Sequence, residues 1–493
     1  METDNGGVNQ MIDLKNLGKY RENNRIEAKK ALGGLPHSIW ETYSAFANTL
    51  GGIILLGVEE HPDKSLHAID LPDPEKLTKD FWDMVNNTQK VSVNILSGKD
   101  VSTETVDGKH IVVINVPRAD RSYKPVYIDG NPLNSYRRNG EGDYKCTDEE
   151  LKAMYRDASV RTQDMLVLDN FGMDVINAES LRSYRQRMRL SRPGHVWDTL
   201  EDGEFLIKLG AAGFGEDGKR HPTSAGLLMF GNEYDIVREY PNFFLDYREE
   251  YDDVHRWTDR FISSSGDWSG NVYDFYFRAY NKLQLDLKVP FEMNGGLRVD
   301  DTPVHKAIRE ALANCLVNAD YYGRGGVVVI KKHDSVTLSN PGSFRIGIDA
   351  AISGGFSDPR NGTMLKMLNM IDIGERAGSG IPNIYRVWHD QNWAEPTFTQ
   401  SFEPDRTMLS LVLSPTIGDK SAIKTGDKLM TKEAKKQFII DYITEHPMVR
   451  TSEIAEIAHL KASRARDYLS ELVSEGILVA EGANRNRTYR LKS

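Results

Sequence analysis

Between Arg21 and Glu60 acidic and basic side chains recur at short, regular spacing, and here the chain could do chemistry. Arg25, Glu27 and Lys29 stand two residues apart, so on a strand they share one face and hold a carboxylate beside an amine. Glu22 precedes them, and Glu59 and Glu60 follow the next apolar run. Clustered acids raise each other's pKa unless a cation is present, which makes Glu22, Glu27 and the Glu59/Glu60 pair candidates for holding a divalent ion. The bland alternative is a Glu27–Lys29 surface pair of little energetic weight.

Three further groups have the right chemistry. Arg118, Arg121, Lys124, Arg137 and Arg138 alternate with Tyr123, Tyr127, Tyr136 and Tyr144. Cations contact phosphates and tyrosines stack on bases, the mixture that an RNA or single-strand site requires; a solvated strand face would look the same. Glu310, Asn314 and Asn318 stand at i, i+4 and i+8, a polar ladder beside the apolar stripe Ile308, Leu312, Cys315 and Leu316. Near the C-terminus Ser463, Arg464 and Arg466 open a predicted helix, and Arg485 and Arg487 follow on a predicted wing. The first set is placed to contact bases and the second phosphates.

These groups need elements to position them. Arg21 to Glu60 reads as strand, helix and strand: Ile39, Tyr43, Phe46 and Leu50 form a helical stripe, Gly51-Gly52 stops the helix, and Ile53 to Val58 is a short buried strand. Strands are expected at 91–96, 110–116 and 125–128, and Thr147 to Glu150 is a capping-box start for a helix ending near Arg156. His221 to Gly231 is a buried apolar segment. The aromatics from Tyr240 to Phe277 read as a core or a subunit interface. Residues 414–430 are a linker of Gly, Ser, Lys and Asp, and three helices with a two-stranded wing then form a winged helix-turn-helix, for DNA binding or for dimerisation.

Composition bounds the rest. The 493 residues predict about three domains. A formal net charge of −10 excludes a protein that coats nucleic acid by bulk charge, so any such site is local. Two cysteines, Cys146 and Cys315, exclude a disulfide framework and a thiolate metal cluster. No apolar run approaches the roughly 18 residues of a membrane span, and the expected location is the cytoplasm.

The order of an acid, then Glu27-Ala28-Lys29, then SAFANTLGG and Gly57-Val58 followed by acids resembles the Schlafen-type AlbA_2 domain. The usual E-F-K is here E-A-K, and Glu59 stands in place of an Asp. The resemblance implies nucleic-acid binding and, as in some members, metal-dependent cleavage of transfer RNA. Glu22, Glu27 and Glu59 would hold Mg²⁺ or Mn²⁺, with Lys29 and Glu60 beside them in the catalytic set. The Glu310, Asn314 and Asn318 ladder, Asn340-Pro341-Gly342, Arg360-Asn361 and Gly374 to Ile381 resemble a divergent ATPase of the histidine-kinase and gyrase type. There Glu310 would activate water and Asn314 coordinate Mg²⁺. Gly342, Gly378 and Gly380 would lie against ATP, although no Asp stands in the adenine-reading motif.

The expected architecture is therefore α+β and multidomain: an AlbA_2 module over 1–158, a connecting α/β domain over 159–299, an ATPase-type α/β sandwich over 300–413, and a winged helix over 431–493. The expected partners are RNA, DNA or both, together with a second copy of the chain. Two functions stay open, a metal-dependent endoribonuclease, as in antiphage defence, and a non-catalytic DNA-binding regulator that senses a nucleotide.

Overall fold

The computed structural model describes residues 12–251, 256–285, 292–294, 297–299, 302–374, 378–402 and 404–414, and parts of 436–492. It has two compact units, Met1–Thr416 and Ile417–Ser493.

The first unit opens with β1 (Ile26–Lys29), α1 (Ile39–Asn48) and β2 (Gly52–Leu56), the predicted strand, helix and strand. β1 and β2 pair in parallel with Ile26 opposite Ile53, as a strand, crossover helix and strand must. Gly51 makes the return possible: its φ is +77°, and a Cβ there would sit 2.8 Å from the Val116 carbonyl. The hairpin β3 (Val58–Glu60) and β4 (Leu66–Ala68) follows, then α2 (Pro74–Val85), β5 (Val101–Val106) and β6 (Lys109–Val116). The sheet order is β1-β2-β6-β5. One face buries Trp40, Tyr43 and Phe46 of α1 with Phe81 of α2.

Predicted strands at 91–96 and 125–128 are instead extended chain with isolated bridges, Val91 to Ile128 and Tyr127 to Ser135. For 125–128 the reason is a side chain. Buried Asn48 accepts from the Val126 N–H at 2.8 Å and donates to the Val126 and Tyr136 carbonyls at 2.9 and 3.0 Å, taking the groups that a ladder would use. A second hairpin, β7 (Tyr136–Asn139) and β8 (Gly142–Lys145), leads into α3 (Asp148–Ala158). The predicted capping box closes α3 as expected, with Thr147 N–H donating to Glu150 at 2.6 Å and Glu150 N–H to the Thr147 hydroxyl at 3.3 Å.

Next come α4 (Ala178–Ser191), α5 (Asp202–Leu209), the hairpin β9 (Ala212–Phe214) and β10 (Arg220–Pro222), α6 (Ser224–Phe230) and α7 (Glu233–Glu239). β11 (Leu245–Glu249), β12 (Asp259–Ile262), α8 (Val272–Gln284) and the short pair β13 (Glu292–Asn294) and β14 (Leu297–Val299) follow. The chain continues through α9 (Pro303–Asn318), β15 (Val327–Lys331), β16 (Ser335–Pro341), α10 (Ile348–Ser353), α11 (Gly362–Asn369), α12 (Gly380–Asp390), β17 (Thr397–Phe402) and β18 (Asp405–Val412).

The order β12-β11-β15-β16-β18-β17 makes one six-stranded sheet, with β11 and β15 parallel and the other neighbours antiparallel. Both the sheet and its core cross the expected division at 299/300, since Tyr184, Phe230, Tyr273, Leu312 and Trp388 belong to one buried cluster. The predicted core role of the aromatics holds for Tyr240, Phe243, Tyr247, Tyr273 and Phe275, all buried.

In the second unit, helices Thr451–Ile457 and Ala462–Ser474 accompany a three-stranded sheet of Val449–Arg450, Thr488–Leu491 and Leu478–Glu481. Tyr468, Leu469 and Leu472 are buried with Ile454 and Tyr489.

Candidate functional site

β1 delivers Glu27 and Lys29, and their side chains meet at 2.8 Å. The other Glu27 oxygen is 2.8 Å from Arg138, whose side chain is 1% exposed and also reaches Asp143 at 2.9 Å. Arg138 further donates to the Asn23 carbonyl and lies 5.2 Å over the Phe46 ring. It is a clamp on β1, fixed by charge-assisted bonds on every side. Glu22 accepts from the Ala28 N–H at 2.9 Å. Its carboxyl is raised above the usual range by burial, against the pull of that N–H, with Glu27 and Glu60 adding to the rise.

The hairpin register decides which of the next two acids joins. Glu59 is opposite His67, and Glu60 is opposite buried Leu66, so the period of two places them on different faces. Glu60 lies near enough to Glu22 for its charge to raise the Glu22 carboxyl. It pairs with Lys64 at 3.3 Å, while its Oε1 is buried with no partner. Glu59 instead meets Lys30 at 2.7 Å and His61 at 3.5 Å, and the Lys30 hydrogen bond lowers its pKa. Of the expected set Glu22, Glu27 and Glu59, Glu59 is paired elsewhere, while Glu22 feels the charge of both Glu27 and Glu60. Among the described residues no three His, Cys, Asp or Glu side chains are grouped to hold a metal ion.

The expected basic strip is corrected by the fold. Arg118 is buried against the second half of the unit, donating to Gln400 at 3.1 Å and Ser343 at 3.3 Å. Arg121 donates to Asp358 at 3.2 Å and to the Asp157 carbonyl at 2.6 Å. Enclosed Lys124 donates to the Asn48 carbonyl at 2.7 Å, and burial, helped by Arg118, takes its ammonium well below the usual lysine value. Arg137 pairs with Glu150 at 2.7 Å. These cations join protein to protein and form no open strip.

On α9, Asn314 donates to Glu310 at 3.2 Å and Asn318 to the Asn314 carbonyl at 2.9 Å, so the ladder is bonded along itself. Asn314 and Asn318 line a small cleft with Asn340, Phe344, Arg345 and Phe398. Gly380 opens α12 against the Glu310 carboxylate, where a Cβ would lie 2.2 Å from Oε1. Gly378, at φ +66°, is pressed on the Phe356 backbone, and Gly342, at φ +90°, on the Arg360 guanidinium. Glu375 to Ala377 of the glycine-rich stretch lie outside the described residues.

Two sets of residues were not foreseen as site components. Arg360 clamps Asp157 through two bonds of 2.9 and 2.7 Å and donates to the Ser343 and Asn318 carbonyls, tying α3 to the cleft wall. The loop from His61 to His67 carries a second cluster, described below; only the register of β3 on β4 brings it together.

On the second unit Arg466 and Arg487 are exposed, with Arg487 over the Tyr489 ring at 5.6 Å. The side chains of Ser463 and Arg464, and all of Arg485, lie outside the described residues.

Family profiles match four stretches: "Schlafen, AlbA_2" over 22–147, a domain of unknown function over 152–246, "Putative ATP-dependent DNA helicase recG C-terminal" over 325–409, and "FaeA-like protein" over 435–485. Among solved structures, the DIP2311 protein of Corynebacterium diphtheriae is 15% identical with a TM-score of 0.41, covering 95% of this chain and 92% of that one. The N-terminal domain of a RecG-related protein from Nitrosomonas europaea is 34% identical with a TM-score of 0.22, covering 27% of this chain and 90% of that one. No curated protein matches the sequence. No helix among the described residues is long and apolar enough to cross a membrane. With the strand, helix and strand, the acids and the polar ladder in place, residues 22–147 match the Schlafen, AlbA_2 model, and residues 325–409 match the model of an ATPase-like domain of the recG C-terminal type.

Proposed function

We propose that this is a nucleic-acid-binding protein whose first module cleaves structured RNA, transfer RNA among the candidates, with the help of Mg²⁺ or Mn²⁺. One observation carries the reading: the buried, unpartnered Oε1 of Glu60 lies near Glu22, whose carboxyl is raised by burial and by neighbouring acids. Mg²⁺ is commonly bound by one or two carboxylates together with waters and substrate phosphate, so Glu22 and Glu60 fit it without a third protein ligand. When bound, such an ion stabilises charge on the phosphate and lowers the pKa of the attacking water. Arg138 holds Glu27 and β1 rigid, and Lys29 supplies fixed positive charge beside the phosphate.

The cleft beside α9 is the proposed nucleotide site, with ATP the first ligand to try; Asn340, an amide where a carboxylate would read adenine, argues for weak binding. The test of the main reading is incubation of purified protein with transfer RNA in Mn²⁺ or in chelator. Cutting in Mn²⁺ that is abolished in Glu22→Gln and in Glu60→Gln supports it, and metal-independent or absent cutting of every RNA overturns it.

A regulator that binds DNA through the second unit is the other reading. It is favoured by the ion pairing of Glu27 and Glu59 and by the exposed Arg466 and Arg487. It predicts operator binding that Arg466→Ala makes less selective and Arg487→Ala weakens evenly.

A further inference from the structure

The loop between β3 and β4 places two imidazoles face to face. His61 and His67 have ring centroids 3.8 Å apart and planes 24° apart, and both residues are exposed. Each ring is tethered at its edge. His67 shares a 2.7 Å hydrogen bond with the hydroxyl of buried Ser65, which in turn donates to Asp63 at 2.5 Å. His61 lies 3.5 Å from Glu59, which Lys30 anchors at 2.7 Å. The loop itself is closed by the His61 N–H on the Ser65 carbonyl at 2.9 Å and the Lys64 N–H on the His61 carbonyl at 2.8 Å. A stacked pair with fixed edges offers an aromatic face that loses little conformational freedom when a flat ring lands on it.

We propose that the His61–His67 stack is a platform for one unpaired base of a single-stranded or looped nucleic acid. The inference rests on the nucleic-acid-binding reading of the first module and adds the surface that takes the substrate. Three observations select this occupant. The platform sits on the hairpin that also carries Glu60, and His61 is the residue next to that acid in the chain. The expected basic strip is interior, so phosphate contacts there cannot supply the affinity. Near the platform Lys30 is paired with Glu59 and Lys64 with Glu60 and Glu141, and Arg21 acts on Asp63 while donating to backbone carbonyls, so stacking supplies the base-dependent part of the binding energy. Affinity carried by stacking depends on the presence of a base and only weakly on salt.

The experiment is fluorescence anisotropy of the full chain with a labelled single-stranded oligoribonucleotide and with the same strand made abasic, for the parent, His61→Ala, His67→Ala, and the double variant His61→Phe with His67→Phe. The parent is expected to prefer the strand with bases, and each Ala variant to lose about tenfold in affinity for it while its affinity for the abasic strand stays put. The Phe pair keeps the ring faces and removes the ring nitrogens, so it should bind within about twofold of the parent. Circular dichroism melting checks that the exposed substitutions leave the fold intact. Ala variants that bind like the parent, a Phe pair as weak as the Ala variants, or a parent indifferent to the loss of bases would each overturn the platform. Cleavage is read on the same samples: platform-dependent binding without cutting sinks the nuclease reading alone, and cutting with platform-independent binding sinks the platform alone.

Discussion

Asp405, at the start of β18, is a carboxylate in the wrong surroundings. One oxygen is buried without a partner, and burial pushes its pKa from the ordinary 3.8 up to about 6, with the Arg360 guanidinium pulling the other way. A carboxyl whose folded pKa is raised favours the folded state while protonated, and that contribution is lost as pH climbs through the folded value. Asp405→Asn cannot ionise. It should therefore melt higher than the parent at about pH 8 and within a degree or so of it near pH 4, the gap opening as pH rises from about 4 to about 6. Thermal melts across that window check the sign, and a gap that widens towards acid would refute the account. Glu22 shows the same logic in the acid cluster, where neighbouring negative charge adds to burial.

At the scale of elements, α6 explains the apolar run around Leu227. All seven of its residues are buried, and Gly226 lies so close to the preceding chain that a Cβ would fall 1.8 Å from the Ala211 carbonyl. Backbone cannot step aside as a side chain can, so Gly226→Ala should destabilise the first unit by roughly 3 kcal/mol or more, read from the urea midpoint. A loss below about 1 kcal/mol would show that α6 can shift. Elements whose pattern is local were legible in the chain: the β1-α1-β2 passage, the capping box of α3 and the polar ladder on α9 all sit where periodicity placed them. What was not legible depends on distant partners. Asn48 takes the hydrogen bonds of Val126, the Tyr43 hydroxyl takes those of the Val93 carbonyl and the Ile95 N–H, and nothing near those positions announces it. Glu60 rather than Glu59 acts on the Glu22 carboxyl, a fact of register. The Arg118 to Arg138 cations looked like a binding strip because their acceptors, Gln400, Ser343 and Asp358 among them, come from more than two hundred residues further on for Arg118 and Arg121.

At the scale of the whole molecule, the two compact units predict separable stability. Each has its own buried cluster, that of the second unit containing Ile439, Leu469, Leu472 and Tyr489. Protein ending at Thr416 should fold and keep the thermal transition of the first unit within about 2 °C, with the smaller transition gone from the calorimetric trace. A first unit that aggregates or unfolds on its own would refute that independence. A cut at 299/300 is a different matter, because β11 is paired along its length with β15 and shares its core. That parallel pairing also bears on inheritance. One family profile ends at 246, inside β11, and the next begins at 325, two residues before β15. A recombination that carried the later segment into another gene without the earlier one would deliver a sheet with a bare central edge, an invitation to aggregate. The two segments are two families by sequence but one heritable piece by hydrogen bonding, and lineages that keep either should keep both in this order.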